Sequence, residues 1–424
     1  MVDGRWVEME VAEKLFNKID SLRDYAVECL CKIIELNAVN PTYGGPGELK
    51  RAEYIEKQLE EIGVSEVERY DFPDERAEGG VRPNIVAKIP GRSKKTLWII
   101  SHMDTVPPGD LSKWQSDPFK PLVAGDKIYG RGAEDNGQAI VASLLAARAI
   151  LEEKLEPELT LGLVFAADEE AGSRYGVVEL VKKGIFSRDD LILVPDAGSP
   201  RGDFIEIAEK SILWLKITTR GVQSHSSMPH RGLNAHRIGM KYALMLDELL
   251  HQKYSDIDEF FDPPYSTFEP TRKEENQQNV NTVPGKDVIY FDCRVLPEYS
   301  LDDIISDALK LKELFESTYY IKLDDKKIGV KIDVEVVARS DAPPPTSPDS
   351  EIVVKLRKAI KLARGIEARV GGIGGGTYAA IFRRKGIPAA VWATVDETAH
   401  NPNEYAKVSN IVEDAKVFAL LVFL

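Results

Sequence analysis

Cysteine is scarce in this chain, which contains only three in 424 residues. They are Cys29, Cys31 and Cys293, an odd number without a C-x-x-C pair of the kind that binds zinc. Cys29 and Cys31 stand two apart on a predicted helix and therefore face different directions. This usage argues against a disulfide scaffold, and we expect free thiols and a reducing, cytoplasmic location.

Long apolar runs and basic clusters are also missing. The longest apolar stretch, 417–424, falls far short of the ~20 residues of a membrane span and is typical of a core-facing final helix. The first ten residues mix charges with isolated apolar side chains, so we predict no signal peptide. Asp and Glu (69) outnumber Lys and Arg (55), and the net charge is −14. Nucleic acid and anionic membranes are therefore not expected partners.

Common nucleotide and hydrolase signatures, such as Walker A, G-x-S-x-G and H-E-x-x-H, do not occur. The segment 374–379 fits the dinucleotide pattern G-x-G-x-x-A, with Asp396 and Glu397 about 20 residues further on. That pattern should open the first βαβ unit of a nucleotide-binding half. Only the short segment 377–424 follows Gly376, so we set an NAD-dependent oxidoreductase aside.

The length and patterning predict two domains of different class. A chain of 424 residues exceeds the usual single core, and 43% hydrophobic and 29% charged residues are typical of a folded globular protein. Residues 1–209 and 341–424 alternate apolar strands with helices, which predicts an α/β domain with a mostly parallel sheet and helices on both faces. Residues 210–340 predict a smaller inserted α+β domain, and the proline-rich segment 342–348 a hinge or linker.

The apolar periodicity places the elements as follows. The predicted helices are 11–36, 48–62, 139–153, 176–183, 234–250, 301–315, 352–363 and a terminal helix. The predicted strands are 84–89, 97–100, 159–167, 191–194, 211–220, 288–295, 331–337 and 389–393.

A histidine and an aspartate follow the strand 97–100. His102 and Asp104 stand two positions apart, and the period of a strand puts both on one side, about 6.5 Å apart along the backbone. Asp104 can therefore reach back to the imidazole, as carboxylates do beside metal-binding histidines. A solvated pair at the end of a strand is the ordinary alternative.

Four further segments carry metal-type side chains at strand ends or before a helix. They are Asp135 before the helix 139–153, Asp168-Glu169-Glu170 after the strand 159–167, Asp196 after 191–194, and His400 after 389–393. Alone, each has an ordinary explanation: an N-cap, solvated carboxylates, a surface turn or a turn histidine. Their convergence in a chain with only six histidines favours one shared site at the carboxyl edge of the sheet.

The order and context of these segments resemble, over nearly the whole chain, the dinuclear zinc amidohydrolase and metallopeptidase family. This family includes succinyl-diaminopimelate desuccinylase, acetylornithine deacetylase, aminoacylase and glutamate carboxypeptidase. The resemblance implies two Zn²⁺ per subunit, for which Co²⁺ is expected to substitute. It implies that His102 and Asp196 hold one ion, that His400 and Glu170 hold the other, and that Asp135 bridges them.

The same resemblance implies a reaction. Asp104 would orient His102, and Glu169 would act as general acid and base for a metal-activated water. The expected activity is hydrolysis of an amide bond in an N-acyl amino acid. The alternatives are a dipeptidase, aminopeptidase or carboxypeptidase that acts on short peptides by the same mechanism, and, more remotely, a binding protein without activity.

In the inserted domain, the resemblance implies a lid that also forms a homodimer. His225, in the segment 221–229, would stabilise the oxyanion in the partner's active site, with a loop histidine as the alternative. Arg294 would bind a substrate carboxylate, unless it forms an ordinary strand salt bridge with Asp292. The other residues expected at the substrate are Asn281, Gly376 and Thr377.

Two departures from the family pattern leave the substrate open. The family often has lysine and glycine two and three positions after the bridging aspartate, where this chain has Gly137 and Gln138. Position 196 is aspartate, whereas desuccinylases and carboxypeptidases usually have glutamate there. Within the family, aspartate is more typical of dipeptidase-like and aminopeptidase-like members.

Overall fold

The structure, a computed structural model, describes residues 3–323 and 325–424, and for residues 3–8 the main chain alone. The chain divides into two compact units. Unit 1 comprises Met1–Ile207, Pro344–Gly371 and Thr377–Leu424. Unit 2 comprises Ala208–Pro343 and Gly372–Gly376.

The helices and strands have the following bounds. The helices are α1 (Asp3–Ser21), α2 (Arg23–Glu35), α3 (Leu49–Ile62), α4 (Gln138–Glu152), α5 (Val177–Lys182), α6 (Ala235–Lys253), α7 (Leu301–Thr318), α8 (Glu351–Arg364), α9 (Ala379–Arg384) and α10 (Val408–Leu421). The first ten strands are β1 (Glu66–Pro73), β2 (Val81–Ile89), β3 (Ser93–His102), β4 (Leu122–Ala124), β5 (Lys127–Tyr129), β6 (Leu159–Ala166), β7 (Leu191–Ser199), β8 (Phe204–Glu209), β9 (Ser211–Arg220) and β10 (Ser224–His225). The others are β11 (Phe261–Asp262), β12 (Thr267–Lys273), β13 (Thr282–Val283), β14 (Lys286–Val295), β15 (Tyr320–Leu323), β16 (Lys326–Gly329), β17 (Lys331–Ser340), β18 (Arg369–Ile373), β19 (Ala389–Thr394) and β20 (Tyr405–Lys407).

Unit 1 is built on a twisted sheet whose strands run in the order β1-β2-β6-β3-β7-β19-β8-β18. The central strands β6, β3, β7 and β19 pair in parallel, and β1 and β2 add an antiparallel edge. On one face Trp98 and Val391 pack with Phe382 of α9, and on the other Trp392 contacts Phe418 of α10. The predicted class, a mostly parallel sheet with helices on both faces and a smaller inserted α+β unit, is confirmed.

Parallel pairing brings the carboxyl ends of the central strands to one edge of the sheet. Strand β3 ends at His102, and β6 ends just before the acidic segment 168–170. Strand β19 ends at Thr394, ahead of the loop that carries His400. The strands therefore deliver these predicted side chains to the same place.

Strand β7 is longer than predicted, and it contains a bulge. It continues to Ser199, so Asp196 lies within the strand and not beyond its end. Its pairing with β19 jumps from Val194 to Gly198, which leaves Pro195–Ala197 as a bulge. Pro195 has no N–H to give the ladder, and the bulge redirects Asp196.

Unit 2 has an antiparallel sheet in the order β12-β14-β9-β17. Helices α6 and α7 pack on it through a core that includes Tyr242, Phe291 and Phe315. In the part of the chain that the structure describes, no helix has the length and apolar character of a membrane span.

One predicted helix, 11–36, is wrong in its continuity. The chain forms two helices, α1 and α2, with Leu22 between them. Leu15, Ile19, Ala26 and Leu30 are all buried on both sides of this break. The helical period of the buried residues continues across it, so the pattern could not reveal it.

Candidate metal centre

Six predicted side chains come together at the carboxyl edge of the sheet in unit 1. Two overlapping triads each offer ligand atoms that lie within 4.8 Å of one another. The first triad is His102, Asp135 and Glu170, and the second is His102, Glu169 and Asp196. The sixth side chain, His400, contacts two members of the first triad.

Asp135 lies between the two imidazoles. Its Oδ1 is 2.8 Å from Nε2 of His102, and its Oδ2 is 3.0 Å from Nε2 of His400. The alternative of an N-cap is wrong, because α4 begins at Gln138 and no side chain caps it. One carboxylate therefore faces both histidines with different oxygens, which is the arrangement of a bridging ligand.

Each histidine also has a carboxylate of its own. Asp196 Oδ1 is 3.3 Å from Nε2 of His102, and Glu170 Oε2 is 3.1 Å from Nε2 of His400. The structure thus brings the predicted ligands into two groups that share Asp135. Each group offers one imidazole nitrogen, one private carboxylate and one shared carboxylate.

Asp104 reaches back to His102 as predicted, but its main-chain oxygen lies closer to the imidazole than its carboxylate does. Nδ1 of His102 lies 3.0 Å from the main-chain oxygen of Asp104 and 3.6 Å from its carboxylate. The carboxylate also accepts hydrogen bonds from the main-chain N–H of Glu169 (3.0 Å) and Glu170 (3.1 Å), and from Nδ2 of Asn40 (2.8 Å). Strand β3 ends at His102, so the strand period no longer directs Asp104. Its carboxylate holds the glutamate pair in place.

Asn136, which no sequence pattern marks as a functional residue, connects His102 and Asp196. Its Oδ1 accepts a hydrogen bond from the N–H of His102 (3.3 Å). Its Nδ2 donates to the main-chain oxygen of Pro195 (2.8 Å) and to Oδ1 of Asp196 (3.1 Å). The asparagine therefore fixes the distance between the end of β3 and the bulge of β7.

The glycines around Asp135 explain one departure from the family pattern. A Cβ at Gly137 would lie 2.4 Å from the main-chain oxygen of Gly132, so no lysine fits at this position. Gly132 itself has φ +78°, and a Cβ there would lie 2.5 Å from Cγ2 of Thr105. The loop that carries Asp135 thus requires both glycines.

A network of buried charged and polar side chains holds the acidic segment 168–170 in place. Arg82 contacts both Glu48 and Oδ1 of Asp168, the latter at 3.1 Å. Asn40 donates to the same oxygen of Asp168 at 3.0 Å. All four side chains are buried. These partners lie far apart in sequence, and no local pattern marks them.

The carboxylates of the site raise the pKa values of both histidines. Burial would lower the pKa of His102, but the neighbouring carboxylates, chiefly Asp104, Asp135 and Asp196, hold this pKa well above its usual value. The hydrogen bond to Asp135 contributes most to raising the pKa of His400 to about 10. Without metal, both imidazoles therefore bind protons to balance the carboxylates, and a cation can take that place.

The two glutamates have raised pKa values for related reasons. Burial raises the pKa of Glu170 to about 7, and the charge of Asp135 adds to this effect. Burial and the charge of Asp196 raise the pKa of Glu169 well above its usual value. Imidazole nitrogens and carboxylate oxygens crowded in this way are a suitable ligand set for a divalent metal such as zinc.

The other predicted residues lie mostly in unit 2. His225 is exposed on β10, where Nδ1 is 2.8 Å from Oγ of Ser227, and its strand pairs with β13. The main-chain oxygen of Asn281 accepts from the N–H of Ser226, next to His225. His225 and Asn281 therefore share one corner of unit 2.

Arg294 makes the strand salt bridge that was its alternative interpretation. Its Nε and Nη2 contact the carboxylate of Asp292 at 2.7 and 3.0 Å, and its Nη1 donates to the oxygen of Gly374 at 3.1 Å. Gly376 belongs to the same unit. Thr377 belongs to unit 1, where its Oγ1 accepts from the N–H of Ala379 at the start of α9.

Comparisons with known proteins agree on the family. Residues 98–423 match peptidase family M20/M25/M40. The chain is 44% identical over 404 residues to an uncharacterised metallohydrolase of Methanocaldococcus jannaschii, covering 94% of this chain and 98% of that protein. It is 26% identical over 367 residues to a succinyl-diaminopimelate desuccinylase of Nitrosospira multiformis, covering 85% and 91%.

A solved structure shares the fold. Human carnosine dipeptidase 1 superposes with a TM-score of 0.75 and 19% identity, over 97% of this chain and 98% of that chain. The fold and the site together define a metal-dependent hydrolase. The chain belongs to peptidase family M20/M25/M40, and the predicted resemblance is confirmed.

Proposed function

We propose that this protein is a dinuclear zinc hydrolase that cleaves an amide bond. His102 and Asp196 would hold one Zn²⁺, His400 and Glu170 the other, and Asp135 both. The observation that carries the proposal is the position of Asp135, whose two oxygens lie 2.8 and 3.0 Å from the two imidazoles. A carboxylate placed in this way has little use in a site for one ion.

The ligand chemistry supports zinc. Zinc binds imidazole nitrogen and carboxylate oxygen, and a catalytic site leaves one position open for water or substrate. When bound, the ions supply a water of lowered pKa and polarise the scissile carbonyl.

Glu169 would move the proton. It shares a triad with His102 and Asp196, and its main-chain N–H is held by the carboxylate of Asp104. Its carboxylate would accept the proton of the attacking water and then donate it to the nitrogen of the leaving amine.

Unit 2 would complete the site in a homodimer. His225 is exposed and oriented by Ser227, as a residue that acts on another subunit must be. It would donate a hydrogen bond to the oxyanion that forms on the substrate. Arg294, with Gly376 and Thr377, would bind the substrate carboxylate, for which Arg294 must exchange part of its contact with Asp292. Asn281 would face the substrate.

The first candidate substrate is an N-acyl amino acid, as for the desuccinylase relatives. A second candidate, a short peptide, is favoured by one observation. Asp196 stands where desuccinylase-like members usually have glutamate, and the dipeptidase-like members more often have aspartate. An N-acyl amino acid and a dipeptide both have an amide bond next to a free carboxylate.

A substrate panel tests the proposal. N-acetyl and N-succinyl amino acids and dipeptides are assayed with added Zn²⁺ or Co²⁺. We expect turnover in one of these classes, abolished by chelator and restored by metal. Full activity after all metal has been removed and its absence verified would contradict the proposal.

A further inference from the structure

Two buried glutamates, Glu134 and Glu404, connect the loop that carries Asp135 to the loop that carries His400. Glu134 precedes Asp135 in the chain, and Glu404 stands four positions after His400. Both are nearly inaccessible to solvent, with 4% and 0% of their surface exposed. Neither contacts the ligand atoms of the site, so the proposed reaction leaves them without a direct role.

Glu134 binds the loop of His400. Its carboxylate accepts hydrogen bonds from the main-chain N–H of Asp396, Thr398 and Ala399, and from Oγ1 of Thr398. These are charge-assisted bonds, which are stronger than those between neutral groups. The segment directly before His400 is thus attached to the residue next to Asp135.

Glu404 binds the loop of Asp135 in return. Its Oε1 accepts from the main-chain N–H of Glu134 and Asp135, both at 3.0 Å, and its Oε2 accepts from Gly132 at 3.1 Å. Arg131 contacts the same carboxylate through Nη1 and the main-chain oxygen of His400 through Nη2. Each loop therefore carries one metal ligand and one glutamate that holds the other loop.

The need for these contacts follows from the topology. The two segments pair as strands β5 and β20 only as far as Tyr129 and Tyr405. Beyond this pair one more main-chain bond joins the segments, from the N–H of Gly130 to the oxygen of Glu404 (2.9 Å), and the N–H groups further along the two loops have no strand partner. Buried N–H groups must find acceptors, and the two carboxylates provide them where Asp135 and His400 have to face one another.

We propose that Glu134 and Glu404 are positioning residues which, by each binding the main chain of the opposite loop, set the separation of Asp135 and His400 and so the affinity of the metal position that contains His400. The inference rests on the proposed dinuclear function. It assigns the two glutamates no contact with metal or substrate.

The test measures metal binding and not only activity. Co²⁺ is titrated into the metal-free full-length protein, and its visible absorption reports the occupancy of each position. In Glu134→Gln, an amide N–H₂ group replaces one acceptor oxygen, and we expect one of the two cobalt equivalents to bind about 10–100-fold more weakly, the usual effect of losing a partner behind a metal ligand. The other equivalent should keep its affinity.

Asp190→Asn is the matched control. Asp190 is also a buried carboxylate that accepts main-chain N–H groups, from Thr96 (3.0 Å) and Ser187 (2.8 Å). Thr96 lies on β3 about 20 Å from His102, at ~3.3 Å per residue. This variant should lose stability and keep both cobalt affinities, which separates a positioning role from general destabilisation.

The reciprocity is tested without metal. Amide hydrogen exchange should rise at 396–399 in Glu134→Gln and at 132–135 in Glu404→Gln, but at neither segment in Asp190→Asn. Because both glutamates set the same separation, the effects of Glu134→Gln and Glu404→Gln on cobalt affinity should be less than additive in the double variant.

The outcomes distinguish the two proposals. If the wild-type protein binds two Co²⁺ and Glu134→Gln behaves like Asp190→Asn, the positioning role is wrong and the proposed function stands. If the wild-type protein binds fewer than two Co²⁺ at saturation, the dinuclear function and the inference built on it both fail.

Discussion

The two halves of the candidate metal site are built in different ways. His102 and Asp196 come from neighbouring strands, and 2% and 13% of their side chains are exposed. His400 comes from a loop, has φ +63°, and exposes 55% of its side chain. Strand geometry holds the first half, whereas the second depends on contacts between loops.

This difference shows that a metal ligand on a loop needs additional hydrogen bonds to hold its position. In the strand-built half, the ladder and one asparagine fix the ligands. In the loop-built half, the glutamates described above replace the ladder. We therefore expect the strand-built position to bind metal more tightly and the loop-built position to be lost first on dilution or chelation.

The largest effect should come from Glu169→Gln, compared with Glu170→Gln beside it. The first variant should keep both metal ions and lose about 10²–10⁴-fold in kcat, the usual contribution of a general acid or base. The second should weaken metal binding in the loop-built half. Metal analysis together with steady-state kinetics separates the two, and equal metal loss in both would remove Glu169 from the proton transfer.

The two histidines should differ in their effect on stability. His102→Ala removes a buried partner of several carboxylates, and we expect the metal-free protein to lose about 3 kcal/mol of unfolding free energy. His400→Ala removes a ring whose side chain is 55% exposed, so solvent screens its contacts with the carboxylates and the loss of stability should be smaller, although both variants lose metal. Urea unfolding with chelator present measures this, and equal losses would contradict the contrast between the halves.

Asn136→Leu should affect the strand-built half alone. The leucine fills a similar volume but cannot bind Pro195 or Asp196, so we expect about 10–100-fold weaker binding of one metal ion. Asn276→Leu is the control, because Nδ2 of Asn276 donates a hydrogen bond of 2.9 Å to Asp287 in unit 2. Cobalt titration of both variants should show the loss in Asn136→Leu only.

The smallest effect concerns pH. The pKa of His400 in the metal-free protein is raised from 6.5 to about 10, so its contribution to stability is complete below pH 6.5 and is lost as the pH rises through 10. The difference in melting temperature between wild type and His400→Gln, measured with chelator, should therefore shrink from pH 6.5 to 10. A difference in melting temperature that stays constant between pH 6.5 and 10 would show that the pKa of His400 is not raised.

The sequence was sufficient for the strand-built part of the site. His102 follows an apolar strand, and the parallel pattern of strands predicts that such ends meet at one edge of the sheet. Even Asp196 was correctly brought to this edge, although its strand is longer than predicted. A bulge of three residues opposite Trp392 depends on the pairing with β19, which a local pattern does not contain.

The supporting contacts could not be predicted from the sequence. Glu134 and Thr398 lie 264 positions apart in the sequence. Helical and strand periodicity relate only residues that are a few positions apart, so neither pattern could reveal this contact. Asp104 was placed correctly, but its carboxylate binds the main chain of Glu169 and Glu170 and not chiefly the imidazole. Such contacts depend on how loops fold back at the sheet edge, which only the tertiary structure defines.

The most direct test of the central claim is an anomalous diffraction measurement at the zinc absorption edge on crystals grown with Zn²⁺. We expect two peaks, about 3.5–4 Å apart, with one oxygen of Asp135 directed at each, one peak next to His102 and the other next to His400. A single peak at full occupancy, or two peaks without Asp135 between them, would contradict it.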